Sequence, residues 1–289
     1  MNFISKLFWP ITAPIKFIQG HFKTVLFLTI LYFIFNSTDT SKLQQANLQI
    51  VELNGPIIMV DDVLRKIEKA KNDPLIQGVL LKVNSPGGAI APSIEVAYAI
   101  KELNEIKPVV AYASGVMASG SYYASIWADK IIANPGSIIG SIGVIIQSVD
   151  TSELMTKIGI KSQVVKVGDY KEAGTPTRQW SKEEKDELMK VTQNNYDMFV
   201  NDVAKARGLK AQNHKEFADA HIFTSTQAKN IGLIDEVATI SKAKHTVAKL
   251  SGVSTPIWAK EDKVGKFMEK MLNSMVANIS NSITGLQAY

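Results

Sequence analysis

The sequence contains no cysteine and only four histidines in 289 residues. The absence of cysteine excludes disulfide bonds, a thiolate nucleophile and cysteine-based metal sites. The histidines, at His21, His214, His221 and His245, are far apart in sequence. We therefore expect a catalytic mechanism, if there is one, to work without the usual imidazole base, and we expect no metal and no cofactor.

An excess of charge of one sign is also nearly absent from most of the chain. The formal net charge is +5, but residues 1–38 contain Lys6, Lys16 and Lys23 and no acidic residue, which leaves +2 for the remaining 251 residues. Binding to nucleic acid requires clustered Lys and Arg on the folded body. We therefore expect no nucleic-acid partner.

The rest of the composition is that of an ordinary globular protein, with 46% hydrophobic and 20% charged residues. About 200 residues are enough to bury a core as one domain. The sequence divides into three predicted parts: an N-terminal membrane anchor and linker (1–45), a main domain (46–254) and a C-terminal amphipathic tail (255–289).

The predicted anchor is a continuous apolar run over residues 24–35, directly after Lys23. A helix of that length spans about 18 Å, less than a hydrocarbon core of roughly 30 Å, so length alone also fits the core of a signal peptide. Residues 36–41 match the small-residue pattern of a cleavage site poorly. We therefore expect an uncleaved anchor, with Lys23 snorkelling and the bilayer thinning locally.

The position of the lysines predicts the membrane topology. Lys6, Lys16 and Lys23 all precede the apolar run, and no basic residue follows it closely. By the positive-inside rule the N-terminus is cytoplasmic. The prediction is a single-pass protein of the cytoplasmic (inner) membrane with its main domain on the extracytoplasmic side.

The main domain alternates strand-like apolar runs with helical patterns, which indicates a largely parallel α/β fold. Strands are predicted at residues 48–53, 79–83, 109–113, 138–146 and 163–167. Helices are predicted at residues 60–71, 91–103, 117–127 and 181–207. The last helix opens with Ser181 and Glu184 in the spacing of a capping box, so Ser181 is interpreted as an N-cap and not as a nucleophile.

The tail has apolar residues at steps of three and four between Phe267 and Leu286, the pattern of an amphipathic helix. Three alternatives for its apolar face stay open: a neighbouring subunit, a membrane surface, or the chain's own domain.

Two loops at strand ends carry candidate chemistry. Residues 84–88, Asn-Ser-Pro-Gly-Gly, place two glycines where backbone N–H groups can face an anionic oxygen. Residues 114–123 place Ser119 between Ala118 and Gly120 at a predicted strand-to-helix junction, where its hydroxyl is accessible and the next N–H can face an oxyanion. Ser121 is a rival nucleophile in the same loop.

A third loop, residues 167–176, contains Lys171 among turn residues. A lysine in a surface loop is normally solvated. Burial of an ammonium, however, lowers the pKa of a lysine and leaves an amine that can accept a proton from a serine. Because no histidine is suitably placed, a Ser-Lys pair is the natural alternative to a triad.

These three elements, with Lys171 placed 52 positions after Ser119, resemble the SppA-type signal peptide peptidases in their short, membrane-anchored form. The likeness runs over residues 50–240 and includes the segments 128–131, 140–144 and 227–235. It implies a Clp protease or crotonase-like fold of ββα repeats with a largely parallel sheet, and makes residues 46–254 a peptidase domain.

The resemblance also implies roles for individual residues. Ser119 would be the nucleophile, Lys171 the general base and Ser141 the residue that orients the lysine, while the N–H groups of Gly88 and Gly120 would form the oxyanion hole. The implied protein is a membrane-anchored, homo-oligomeric serine endopeptidase that degrades cleaved signal peptides or other apolar peptides.

Two other functions stay open. A crotonase-type acyl-CoA enzyme would use a similar Gly-Gly oxyanion hole, but it usually needs a carboxylate and has no use for Lys171. A non-catalytic membrane scaffold of the same fold is disfavoured by the intact set of Ser, Lys and Gly residues. One departure from the family pattern is Ser121, where many relatives have glycine.

Overall fold

The computed structural model describes residues 17, 19–36 and 45–259. The chain divides into two compact units, Met1–Gln45 and Ala46–Tyr289. In the first unit, helix α1 is Phe22–Asn36, with 15 residues. Among the described helices, none combines the length and the apolar character that crossing a bilayer requires. The predicted tail helix lies outside the described residues.

The second unit alternates strands and helices. The first half contains β1 Leu48–Asn54, α2 Asp61–Asn72, β2 Gly78–Ser85, α3 Ile90–Asn104, β3 Val109–Ala118, α4 Gly120–Tyr123, β4 Lys130–Ala133 and β5 Ile138–Gly140. The second half contains α5 Ser152–Lys157, α6 Lys182–Arg207, a 3₁₀ turn Ala211–Asn213, α7 His214–Phe217, β6 Ile222–Thr224, α8 Ser225–Asn230, β7 Glu236–Val237 and α9 Ile240–Leu250.

The sheet has the order β1-β2-β3-β4-β7, and each of these neighbouring pairs is parallel. Strand β3 is long and has two partners on one side: Ala113 pairs with Ala133 of β4, whereas Ala118 pairs with Gly140 of β5. Strand β6 then pairs with β5 in antiparallel orientation. The first half of β3 therefore continues the sheet to β4, and its second half continues it to β5. Ser119 directly follows this second half.

Helices cover both faces of this sheet, as parallel strands require. Strand β2 is buried almost continuously, with Val79, Leu80 and Leu81 inaccessible to solvent. Val79 and Leu81 belong to the larger core with α3, whereas Leu80 lies in a second apolar cluster with Val247 of α9. The α/β fold with a largely parallel sheet is confirmed.

Two of the predicted strands and one predicted helix differ from the structure. The strand predicted at 138–146 ends at Gly140, because Gly140 and Ser141 have φ values of +105° and +50°, which turn the backbone out of the sheet. The helix predicted at 117–127 shortens to Gly120–Tyr123, since pairing with β5 keeps Ala118 extended. Residues 163–167 are neither strand nor helix.

The start of α6 is confirmed in detail. The backbone N–H of Glu184 donates to Ser181 Oγ at 3.2 Å, and the backbone N–H of Ser181 donates to the Glu184 carboxylate at 2.9 Å. Both halves of the capping box are present, so Ser181 is an N-cap.

Candidate active site

Ser119 lies at the junction between β3 and α4 in a backbone conformation that is rare for a residue with a side chain. Its φ is +53° and its ψ is −128°. Its N–H donates to the carbonyl of Gly140 at 2.8 Å, and its own carbonyl accepts from Tyr123 N–H at 3.0 Å, which starts α4. A sharp strand-to-helix turn of this kind presents a serine hydroxyl to the surface.

The Gly87-Gly88 turn packs directly onto this junction. Gly87 has a φ of +92°, and a Cβ there would lie 2.7 Å from both the Ser119 Cβ and the Gly120 nitrogen. A Cβ on Gly88 would lie 2.1 Å from the carbonyl oxygen of Ile57. These contacts leave no room for a side chain, so the two glycines are required by close approach of backbone.

The backbone amides of Gly88 and Gly120 lie near each other beside Ser119. A Cβ built on Gly120 would come within 3.5 Å of the Gly88 nitrogen. Within the described part of the chain, neither N–H donates a hydrogen bond. Two free donors next to a serine hydroxyl have the arrangement of an oxyanion hole.

A cavity of about 90 Å³ opens in front of Ser119. Its walls come from α3, α4, the segment after β5 and α6, and are mainly apolar: Ile90, Ile94, Tyr123, Val144, Met198 and Phe199. Apolar walls of this kind suit an apolar group of a ligand.

Burial excludes Ser121 as a nucleophile. Its side chain is inaccessible to solvent. The hydroxyl accepts from Ala118 N–H at 2.9 Å and donates to the Ser85 carbonyl at 2.6 Å. Ser121 therefore stabilises the turn from its buried side, and of these two serines Ser119 is the one that lines the cavity.

Ser141 directly follows Gly140, whose carbonyl accepts a hydrogen bond from Ser119 N–H. Its φ is +50°, and its N–H donates to the His221 carbonyl at 2.7 Å. Because Gly140 accepts from Ser119 N–H, the backbones of Ser141 and Ser119 are joined through one intervening residue. The structure thus brings Ser119, Gly88 and Gly120 together at the cavity. Ser141 is joined to Ser119 only through the backbone of Gly140 and is not among the described residues that line the cavity.

Lys171 lies elsewhere in the single chain. It is exposed in a turn that is closed by a hydrogen bond from its own N–H to the Gly168 carbonyl at 3.2 Å. It is not among the described residues that line the cavity at Ser119. Of the five predicted site residues, Ser119, Gly88 and Gly120 line the cavity, whereas Ser141 and Lys171 do not.

Helix α6 contributes cavity residues that the sequence did not indicate. Asn195, Met198 and Phe199 line the cavity together with Gly88 and residues of α3. Phe199 also stacks edge-on against Tyr123, whose hydroxyl donates to the Asp202 carboxylate. Burial, followed by this hydrogen bond, raises the pKa of Tyr123, so the phenol stays neutral. The spacing of Asn195, Met198 and Phe199 is helical, but nothing in the sequence shows what this face of α6 contacts.

The described residues contain no group of three or more His, Asp or Glu side chains arranged to hold a metal ion.

Comparisons with known proteins show what the chain is similar to. A Methanocaldococcus jannaschii protein named as a protease is 41% identical over 190 residues, which are 66% of this chain and 61% of that protein. An Enterococcus faecium protein named as a signal peptide peptidase SppA is 36% identical over 220 residues, 74% of this chain and 63% of that protein. The chain thus spans about three fifths of the length of these two relatives.

A solved structure of a mutant of a membrane-bound stomatin-specific protease aligns with a TM-score of 0.49 and 18% identity, covering 70% of this chain and 85% of that one. Residues 101–254 match the family model of peptidase family S49. This match covers more than half of the chain and includes Ser119, Ser141 and Lys171. The resemblance to SppA-type peptidases is confirmed, and the chain belongs to peptidase family S49.

Proposed function

We propose that this chain is a serine endopeptidase in which Ser119 is the nucleophile and Lys171 is the general base. The observation that carries the proposal is the setting of Ser119, at a strained strand-to-helix turn with two free backbone N–H groups beside it and an apolar cavity in front. Family membership supports peptide-bond hydrolysis as the reaction.

In the proposed mechanism, the neutral amine of Lys171 removes the proton from Ser119 Oγ as the oxygen attacks the scissile carbonyl. The oxyanion accepts hydrogen bonds from Gly88 and Gly120. Lys171 then protonates the leaving amine, and water hydrolyses the acyl-enzyme by the same steps in reverse roles. Ser141 holds the lysine amine towards Ser119.

The dyad requires Lys171 to reach the cavity, either through movement of its own loop or from a second copy of the chain.

We call the segment before Lys171, residues 145–170, the apolar arm. It exposes large apolar side chains in the single chain. They include Ile145, Val149, Ile158, Val165 and Val167. Exposed apolar surface of this extent is typical of protein interfaces, so we propose a homo-oligomer in which neighbouring copies cover the arm.

The proposed substrates are apolar peptides, such as cleaved signal peptides, at the membrane. The apolar walls of the cavity support this substrate class. The apolar composition of α1 and the lysines that precede it support anchoring in the cytoplasmic membrane, with the N-terminus cytoplasmic and the peptidase domain outside. An anchored enzyme would meet peptides released from the bilayer more often than a diffusing one.

The cavity does not favour the acyl-CoA alternative. That chemistry usually needs a carboxylate beside the acyl chain, and no Asp or Glu is among the described residues that line the cavity.

Cleavage of an apolar peptide by the detergent-solubilised full-length protein tests the proposal. Ser119→Ala and Lys171→Ala should each lower kcat by about 10³-fold or more. Ser254→Ala and Lys249→Ala change exposed residues of the same two types, outside the apolar arm, and should leave kcat unchanged. Retained cleavage by either dyad variant contradicts the assignment, and absence of cleavage by the wild type favours a scaffold.

Mixing the two inactive variants decides where the lysine comes from. If a neighbouring copy supplies Lys171, mixed assemblies of Ser119→Ala and Lys171→Ala regain part of the activity, because some sites combine an intact serine with an intact lysine. If the loop of the same chain closes, the mixture stays inactive.

A further inference from the structure

A chain of four alternating charges closes the loop that carries Lys171. Lys166 Nζ lies 3.1 Å from Glu172 Oε2, and Arg178 Nη2 lies 3.1 Å from the same oxygen. Arg178 also donates to both carboxylate oxygens of Glu184, at 2.7 and 2.8 Å. The Glu184 side chain is only 5% exposed. Arg178 therefore joins the residue after Lys171 to a buried carboxylate.

The buried end of this chain of charges is Glu184, which lies in the first turn of helix α6. Glu184 accepts a hydrogen bond from Ser181 N–H as part of the capping box. The hydrogen bond from Arg178, followed by the one from Ser181, lowers the pKa of Glu184 to about 2, so the carboxylate stays charged at neutral pH. Glu184 therefore lies on the same helix that supplies Met198 and Phe199 to the cavity.

The loop itself is well connected. Trp180 Nε1 donates to the Thr175 carbonyl at 2.7 Å, and Thr151 N–H donates to the Pro176 carbonyl at 2.8 Å. Ala173 N–H donates to the Tyr170 carbonyl at 3.0 Å, across Lys171. These bonds hold the backbone on either side of Lys171, and Arg178 adds the side-chain link to α6.

The charge chain also engages the carboxylate next to Lys171 in sequence. A free Glu172 could pair with the Lys171 ammonium. A nearby carboxylate favours the charged form of a lysine, so Lys171 would keep its proton and could not act as a base. In the structure, Glu172 is bound by both Lys166 and Arg178. The other acidic residue of the loop, Asp169, precedes Lys171 by two positions. Its backbone carbonyl oxygen lies 3.5 Å from Lys166 Nζ.

We propose that Arg178 is a positioning residue for Lys171: it fastens Glu172 to Glu184 of α6, which sets the lysine loop and keeps Glu172 away from the lysine. The inference rests on the proposed function in the form in which Lys171 acts on the Ser119 of a neighbouring copy, because these contacts hold the loop outside the cavity at its own Ser119.

The test uses the full-length protein in detergent with the apolar peptide substrate. Arg178→Gln should lower kcat by about 10²-fold, the effect of misplacing a catalytic group by about 1 Å, with KM within about twofold of wild type. Hydrogen exchange of the amides of residues 170–175 should become faster. Lys190→Gln removes an exposed ion pair with Glu187 on the same helix and should change neither measurement.

A double-mutant comparison separates positioning from loss of structure. Glu172→Gln alone should also lower kcat, and Arg178→Gln combined with Glu172→Gln should be no slower than Arg178→Gln, because both changes break the same link. Glu172→Gln serves as the primary variant if Arg178→Gln does not fold. Losses that multiply in the double variant overturn the proposal.

The outcome for Lys171 distinguishes this inference from the proposed function. Full kcat in Arg178→Gln together with inactive Lys171→Ala overturns the role of Arg178 alone. Retained cleavage in Lys171→Ala overturns the dyad and, with it, the role of Arg178.

Discussion

At the scale of single residues, the site depends on backbone conformations that cost free energy. Ser119 and Ser141 both have positive φ, and each is held there by a backbone hydrogen bond to a distant residue, Gly140 and His221 respectively. Strain of this kind persists only where the surrounding structure enforces it. Here it turns the Ser119 hydroxyl towards the cavity, whereas the buried Ser121 stabilises the turn.

Gly87→Ala should abolish most of the peptidase activity. The new Cβ would lie 2.7 Å from Ser119 Cβ and from the Gly120 nitrogen, so the turn has to move away from the nucleophile. The positive φ alone costs about 1 kcal/mol for alanine. Peptide cleavage and thermal unfolding of the purified variant measure the two effects.

Gly252→Ala is the matched control for this prediction. Gly252 has a φ of +66°, and a Cβ there would meet nothing within 4 Å. It should lose about the same 1 kcal/mol of stability and keep full activity. Equal loss of activity in both variants would show that stability, and not the packing of Gly87 on Ser119, controls the rate.

At the scale of elements, α6 connects the lysine loop to the cavity. Its first turn holds Glu184, which binds Arg178, and its middle supplies Asn195, Met198 and Phe199 to the cavity wall. One helix of 26 residues thus links the loop that carries Lys171 to the cavity wall of the same chain. The capping box at Ser181 determines where this helix begins.

The contribution of Glu184 to stability should depend on pH. Its pKa is lowered to about 2 in the folded protein, chiefly by Arg178, from a usual value of about 4.3. A lowered carboxyl pKa stabilises the fold above the usual pKa, and this stabilisation is lost as pH falls towards the folded value. The melting temperature of wild type should therefore exceed that of Glu184→Gln at pH 6, and the difference should shrink between pH 4.5 and 2.

Glu187→Gln provides the comparison on the same helix. Glu187 pairs with Lys190 on the exposed surface, where ion pairs contribute little. Its melting temperature should stay close to wild type at every pH. A pH-independent difference for Glu184→Gln would mean that its charge is not what stabilises the start of α6.

At the scale of the whole molecule, the apolar arm has no core of its own to pack against. Val165 is fully exposed and Val167 is 95% exposed. Only the short helix α5 gives regular structure to the described residues between β5 and α6. Leaving these side chains in water costs about 25 cal/mol for each Å² of apolar surface, so covering them by another copy is favourable.

Val165→Ser combined with Val167→Ser should weaken self-association. The substitutions remove apolar surface from the arm without touching a buried residue, so the domain should still fold. Analytical ultracentrifugation in detergent should show a smaller assembly than wild type, with lower peptidase activity if a neighbouring copy completes the site. Val191→Ser, at a half-exposed position of α6, is the control. An unchanged mass for the arm variant contradicts the proposed role of the arm.

Patterns that depend on neighbouring residues were predictable. The first three strands were located because each is a short segment rich in Val, Leu, Ile and Ala, and the start of α6 because the capping box lies within four residues. The strand predicted at 138–146 begins where predicted but is too long, because its end depends on Ser141 bonding to His221, far along the chain. The strand predicted at 163–167 failed because its apolar side chains have no strand partner within the described single chain.

The sequence by itself determined the largely parallel α/β class, the family and the candidate residues, because apolar periodicity and short motifs are local properties. Tertiary structure decided which serine faces the cavity, since burial of Ser121 depends on Ser85, 36 residues away. It also brought Gly88 to Gly120, placed α6 at the cavity and left Lys171 apart from Ser119. These outcomes depend on contacts between distant segments, which form only when the sheet and its helices pack.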